Sequence, residues 1–163
     1  MTEILRFGTT TIGIMPIHAA GVSRREAERA AVAAVLSGLA PGAVLAHDAD
    51  GAPYLAGDSR HVSISHSLAL VAVAIDPVRR VGIDLEDMSR AAQIERVLPR
   101  VLSGEELVAY AGRPLDAWTQ KEALYKIAGN PAANWQRDLP LPPRGLVFTG
   151  RVGDSVLTVV ASD

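Results

Sequence analysis

In Val81-Gly-Ile-Asp-Leu-Glu86, two carboxylates alternate with β-branched and apolar residues. Residues two apart on a strand project to the same face. Asp84 and Glu86 therefore stand side by side, about 7 Å apart along the chain, while Ile83 and Leu85 point at the core. Like charges so placed repel unless a cation lies between them, and a hard divalent ion such as Mg²⁺ prefers oxygen ligands. A solvated strand end would leave the same pattern. A second run is Trp118-Thr-Gln-Lys-Glu-Ala-Leu-Tyr-Lys126, where Trp118, Glu122 and Lys126 recur at i, i+4 and i+8 along one helical stripe. Lys121 sits about 100° round, within reach of a ligand lying over that stripe. An exposed Glu122–Lys126 pair would contribute only about 0.2–0.5 kcal/mol, and Lys126→Met, which keeps the stem of the side chain, is expected to change stability little. Trp118 argues instead for a stripe bordering a cleft, because so large a ring usually anchors a buried face. In Val62-Ser-Ile-Ser-His-Ser67, the polar residues Ser65, His66 and Ser67 fall where one strand turns into the next. His66 could bind a phosphate, act as a base, or simply bond within its turn. There is no Gly-x-Ser-x-Gly motif, and the four histidines form no metal-ligand pattern.

The elements that must hold these residues are legible in outline. Thr9–Ile17 is rich in β-branched residues and predicts a strand. Ser23 and Glu26 form a capping box that opens a helix running to about Leu39, stopped by Pro41-Gly42. A short strand near Ala43–His47 precedes the turn-forming run Asp48–Pro53. Val62–Ser65 and Leu68–Ile75 read as strands around a tight connection, Asp76-Pro77 turns the chain, and Val81–Glu86 is a further strand. Ala91–Leu102 has helical spacing, and Ser103 with Glu106 makes a second capping box. Asp116 is placed to cap a helix ending at Gly129-Asn130-Pro131. Pro131–Arg144 reads as a loop, and Gly145–Thr149 with Ser155–Ala161 as a closing pair of strands. This order permits two α+β halves meeting near Asp76.

The composition narrows the function class. With 163 residues, 48% of them hydrophobic and 21% charged, the chain can bury a sizeable core and is not disordered. The net charge of −2 argues against a nucleic-acid or anionic-lipid footprint. The absence of cysteine excludes disulfides, thiol catalysis and thiolate metal sites. Ala30–Ala46 is uncharged but interrupted by Ser37 and Pro41-Gly42, too short to span a membrane. The N-terminal segment makes a poor export signal, with Glu3 where basic residues belong, so cytoplasmic residence is expected. Of 16 basic residues only two are lysine, and both lie in the Trp118–Lys126 run.

Four motifs in order are more specific than any one alone: Asp50-Gly-Ala-Pro-Tyr-Leu55, Ser63-Ile-Ser-His66, Gly82-Ile-Asp-Leu-Glu86 and Trp118-Thr-Gln-Lys-Glu-Ala-Leu-Tyr-Lys126. Together they resemble the 4′-phosphopantetheinyl transferase superfamily, and within it the surfactin-synthetase-activating type. The resemblance spans roughly Arg24 to Gly129. It implies a single domain over residues 1–163 with an α+β fold. Two similar halves, about 1–76 and 77–163, would be related by a pseudo-twofold, each a small antiparallel sheet packed on a long helix. It also implies a monomer holding the whole site in one chain.

The implied activity moves the 4′-phosphopantetheine arm of coenzyme A onto a serine of an apo acyl or peptidyl carrier protein, leaving adenosine 3′,5′-bisphosphate. Such carriers serve fatty acid, polyketide and nonribosomal peptide synthesis. By the same resemblance, Asp84, Glu86 and Glu122 are the Mg²⁺ ligands, Glu122 is also the base, and Asp84, Glu122 and Lys126 are the catalytic set. Lys126 offsets charge on the leaving phosphate and Lys121 contacts the pyrophosphate. His66 contacts a coenzyme A phosphate, with Ser65 beside it and Arg25 sharing that phosphate; Arg24 and Arg29 are the alternatives to Arg25. Gly51 and Pro53 belong to a Gly-basic-Pro turn whose backbone lies along the adenine, although Ala52 stands here in place of the basic residue. Two rivals use the same residues: an Mg²⁺-dependent phosphohydrolase, and a non-catalytic homologue that binds coenzyme A or a carrier protein.

Overall fold

The computed structural model describes residues 2–163. Three antiparallel sheets are built from nine strands. The first sheet has the order β1 (Glu3–Phe7), β2 (Thr10–Pro16), β6 (Leu70–Asp76), β5 (His61–His66). The second is the hairpin of β3 (Val44–His47) and β4 (Pro53–Ala56), and the third has the order β7 (Val81–Asp87), β9 (Ser155–Ala161), β8 (Leu146–Val152). The long helix α1 (Arg24–Leu39) begins at the Ser23–Glu26 capping box and lies on the first sheet. The other long helix, α4 (Pro114–Ala128), lies on β7 and β9 and ends at Gly129, which adopts the left-handed conformation. Between β7 and α4 come α2 (Ala91–Val97) and α3 (Gly104–Ala109). No helix among the described residues is long and apolar enough to cross a membrane.

Strand parity distributes the side chains. In β6, Val71, Val73 and Ile75 pack on α1, whereas Ala72 and Ala74 turn to the other face. There they share one core with Ile12 and Ile14 of β2, Val81, Ile83 and Leu85 of β7, and Leu157 and Val159 of β9. The two larger sheets thus bury a common inner face. The remaining positions of β7, namely Gly82, Asp84 and Glu86, face α4. A third cluster joins Ile94, Leu98, Leu102, Tyr110 and Leu115 to Val156.

Several boundaries differ from the sequence-based expectation. The pattern singles out no strand before Thr9, yet β1 pairs with β2 across a turn at Gly8, whose φ of 58° favours glycine. The Ala91–Leu102 helix breaks after Val97, because Pro99 shifts the chain into a short 3₁₀ turn. Asp116 does not cap α4: the N-cap is Arg113, Pro114 opens the helix, and Asp116 lies in the first turn. The segment 131–144 contains α5 (Trp135–Asp138), capped by Asn134.

Two glycines let the long helices approach their sheets. A Cβ at Gly13 would meet Val35 of α1 at 2.5 Å, and one at Gly82 would meet the Ala123 carbonyl oxygen of α4 at 2.0 Å. The first obstacle is a side chain that can move; the second is helix backbone. Gly82→Ala therefore has to push α4 off β7, and a loss of about 1–3 kcal/mol is expected in urea unfolding. A midpoint unchanged from wild type would show that α4 does not rest on Gly82.

Candidate active site

β5 and β7 are edge strands of different sheets, yet they run alongside each other in the same direction. Each N–H that β7 turns away from β9 needs an acceptor. Two serine side chains supply them: Ser63 Oγ accepts from Ile83 N and Ser65 Oγ from Leu85 N, both at 3.1 Å. Lys126, arriving from α4, closes the seam on the carbonyl side. Its Nζ donates to Ile83 O at 2.6 Å, to Ile64 O at 3.4 Å and to Asp84 Oδ1 at 3.1 Å. Ser65 Oγ also donates to Asp84 Oδ1 at 3.0 Å.

Asp84 is thereby fixed on one side only. Its Oδ2 is buried and has no hydrogen-bond partner among the described residues. Glu86 is held differently: Arg90 Nη1 donates to both its oxygens at 2.9 and 2.8 Å, and Trp118 Nε1 donates to Oε1 at 3.0 Å. Burial, reinforced by the Asp84 charge, raises the pKa of Glu86 from its ordinary value. Glu122 responds more strongly: burial and the adjoining Asp84 push it up to about 7, against the opposing pull of Lys126. Three acidic groups under mutual repulsion, with one orphaned buried oxygen, form an all-oxygen donor set suited to a hard divalent cation. No three such side chains among the described residues stand at ligating geometry.

Two cavities flank this cluster. The larger, about 540 Å³, is lined by Gly51, Ala52, Pro53, Arg60, Arg80 and Lys126 among others. The smaller, about 280 Å³, is lined by Arg24, His66, Asp84, Glu86 and Arg90 among others. The Lys126–Asp84 contact joins them. Gly51, with φ of 83°, makes the turn that places Ala52 and Pro53 on the wall, and Asp48 Oδ1 holds that turn by accepting from Ala52 N at 2.8 Å. His66 Nδ1 stands 3.7 Å from Glu28 Oε1 on α1.

Three residues lie elsewhere than the resemblance implies. Lys121 does not face the cavities: it is 0% exposed, and its Nζ donates to Glu106 Oε1 at 3.0 Å and to the Trp135 and Leu139 carbonyls. Its hundred-degree offset from the Glu122 stripe carries it under the 131–144 segment. Arg25 is exposed on the outer surface of α1 and makes no contact with the cavities; Arg24 lines the smaller one and donates to Ser67 O and Leu68 O at 2.7 and 2.9 Å. Ser65 is spent on the β5–β7 seam and lines neither cavity. Sequence reasoning passed over Ser63 and Arg90, and held Arg24 only as an alternative to Arg25. The two serines at alternate positions of an otherwise apolar strand were the available signal for the seam.

The raised Glu122 has a consequence for stability. Its folded-state value lies above its unfolded one, so the folded chain keeps a proton that the unfolded chain releases. That contribution is complete below about 4.5 and is lost as pH rises through about 7. In chelator, the wild-type melting temperature should fall between pH 5 and 8 more steeply than that of Glu122→Gln. Parallel pH profiles would show that Glu122 titrates normally.

No curated protein matches the chain. Residues 80–142 match the family model described as 4′-phosphopantetheinyl transferase superfamily. That stretch runs from the start of β7 through α4 to the segment anchored by Lys121, and it lies wholly after His66 and the Gly51–Pro53 turn. The matched stretch is the part of the chain that carries Asp84, Glu86, Glu122 and both lysines.

Proposed function

We propose that the protein transfers 4′-phosphopantetheine from coenzyme A to a serine of an apo acyl or peptidyl carrier protein, as a monomer of the surfactin-synthetase-activating type acting in the cytoplasm. The observation that carries this reading is the orphaned Asp84 Oδ2, set between two crowded carboxylates and a lysine where the two cavities meet. Asp84, Glu86 and Glu122 would hold Mg²⁺, which when bound offsets charge on the coenzyme A pyrophosphate.

The chain's own residues supply the rest. The carrier serine oxygen attacks the phosphorus of the phosphopantetheine phosphate, and the bond from that phosphorus to the bridging oxygen of the pyrophosphate breaks. Adenosine 3′,5′-bisphosphate departs with the electron pair. Glu122, whose surroundings already favour holding a proton near neutral pH, accepts the serine proton. Lys126 lines the larger cavity and presents its ammonium to the departing phosphate as a compact charge. His66 and Arg24 offer a second anion contact in the smaller cavity. Gly51 and Pro53 offer backbone to the adenine, and the Ala52 methyl leaves that contact to backbone alone.

Incubation with coenzyme A, Mg²⁺ and a panel of apo carrier proteins, read by intact mass, tests the proposal. Addition of one phosphopantetheine to at least one carrier is expected. No gain on any carrier, alongside a competent control transferase, would contradict it; bisphosphate release without a carrier would point to the hydrolase. Glu122→Gln should lower transfer by roughly 10²–10⁴-fold, the weight of a general base. Lys126→Met should lower kcat. It should also cost stability, unlike the removal of an exposed helix lysine, because Ile83 O loses its donor; about 1–3 kcal/mol is expected. Normal kcat in Lys126→Met would remove this lysine from the chemistry.

A further inference from the structure

Glu86 is the one carboxylate of the three with a cation bonded to both its oxygens, since Lys126 meets only Oδ1 of Asp84. Arg90, four residues further on at the end of the turn that follows β7, places a single guanidinium nitrogen on both its oxygens, while Trp118 Nε1 donates to Oε1. Arg90 makes no other side-chain hydrogen bond or ion pair among the described residues, and its side chain is 44% exposed on the wall of the smaller cavity. Asp84 meets Lys126 through Oδ1 alone and leaves its buried Oδ2 without a partner, and the charges of Asp84 and Glu86 both bear on Glu122. A cation drawing Asp84, Glu86 and Glu122 together would need the Glu86 oxygens that Arg90 now covers.

We propose that Arg90 is the internal counter-ion of Glu86, neutralising it in the cation-free protein and giving up its oxygens when a divalent cation binds. This rests on the metal-site reading above. Arg90 is then a positioning residue. It keeps Glu86 in place, clasped to Trp118, so that the empty site does not splay under the repulsion of three carboxylates. Because the Arg90 end of the pair is open to solvent while Glu86 is largely buried, the guanidinium can leave for water when an ion of twice the charge arrives. The Met88–Arg90 3₁₀ turn, capped by Asp87, holds the Arg90 backbone still while its side chain swings outward. Cation affinity is set by this exchange rather than by the carboxylates alone.

The test is Mn²⁺ binding to the chelator-treated full chain, without coenzyme A, followed by electron paramagnetic resonance. Wild type, Arg90→Met, Glu86→Gln and the double variant form a cycle. Arg90→Met should bind Mn²⁺ about fivefold tighter than wild type, the weight of an exposed ion pair. In the Glu86→Gln background the same substitution should change affinity less than twofold, because the competition no longer exists. Unchanged or weaker binding by Arg90→Met, or an equal gain in both backgrounds, would overturn the proposal, the latter showing only a long-range charge effect. If Arg90→Met fails to fold, the wild-type Arg90 side-chain N–H and Trp118 indole signals in ¹⁵N NMR take its place. Both should shift on saturation with Mg²⁺, and an unmoved Arg90 signal would overturn the proposal. Failure of the wild type to bind Mn²⁺ at all would overturn the metal-site reading and this proposal together, whereas binding without the Arg90–Glu86 coupling overturns this proposal alone.

Discussion

The architecture turns on the seam between β5 and β7. Two edge strands from different sheets lie side by side with no backbone ladder between them, so their free polar groups must be satisfied by side chains. Ser63 and Ser65 accept from the β7 amides, and Lys126 donates to carbonyls of both strands. Every member of this arrangement is tied to another. Ser65 reaches Asp84, Asp84 reaches Lys126, and Lys126 is held at its height by the close seating of α4 on Gly82. The group that joins the sheets is therefore also the group that places the acidic cluster. Ser65, Asp84 and Lys126 thus form one hydrogen-bonded unit that serves both structure and site.

The two lysines of the chain illustrate how a helix divides labour by angle. Lys126 stands on the Trp118–Glu122 stripe and meets the seam. Lys121, about a quarter-turn away, is fully buried beneath segment 131–144. Burial pulls its pKa down and the Glu106 carboxylate opposes that in part, while Glu106 and two backbone carbonyls accept its hydrogen bonds. Glu106 also accepts from Leu141 N and, through the capping box, from Ser103 N. The result anchors α5, whose Trp135 ring lies 5.6 Å from Trp118 and 5.2 Å from Tyr125. An aromatic wall thus steadies Trp118, the residue that holds Glu86 from behind.

Much of this was legible in the residues. The alternation of Ile83 and Leu85 with Asp84 and Glu86 foretold which face is buried, and the i, i+4, i+8 spacing of Trp118, Glu122 and Lys126 foretold one stripe. Both capping boxes stand where their Ser and Glu residues indicated. What was not legible depended on tertiary distance. Nothing local distinguishes Arg24 from Arg25, since helix phase relative to the β5–β6 turn decides which one reaches the cavity. Nothing local tells that Lys121 has a buried acceptor set 14 to 18 residues away. Ser65 reads equally well as a ligand contact or a seam residue until β7 is seen beside it. Strand β1 has no alternation that marks it as a strand, and only its register on β2 defines it.

The central claim is that Asp84, Glu86 and Glu122, gathered by the seam, form one cation site against the pyrophosphate of coenzyme A. Anomalous diffraction from crystals grown with coenzyme A and Mn²⁺ tests it most directly. The account predicts a single strong peak touching all three carboxylates, Asp84 Oδ2 included, and a phosphate oxygen of the ligand. Bound coenzyme A with no peak at these residues, or a peak held by other side chains, would contradict it.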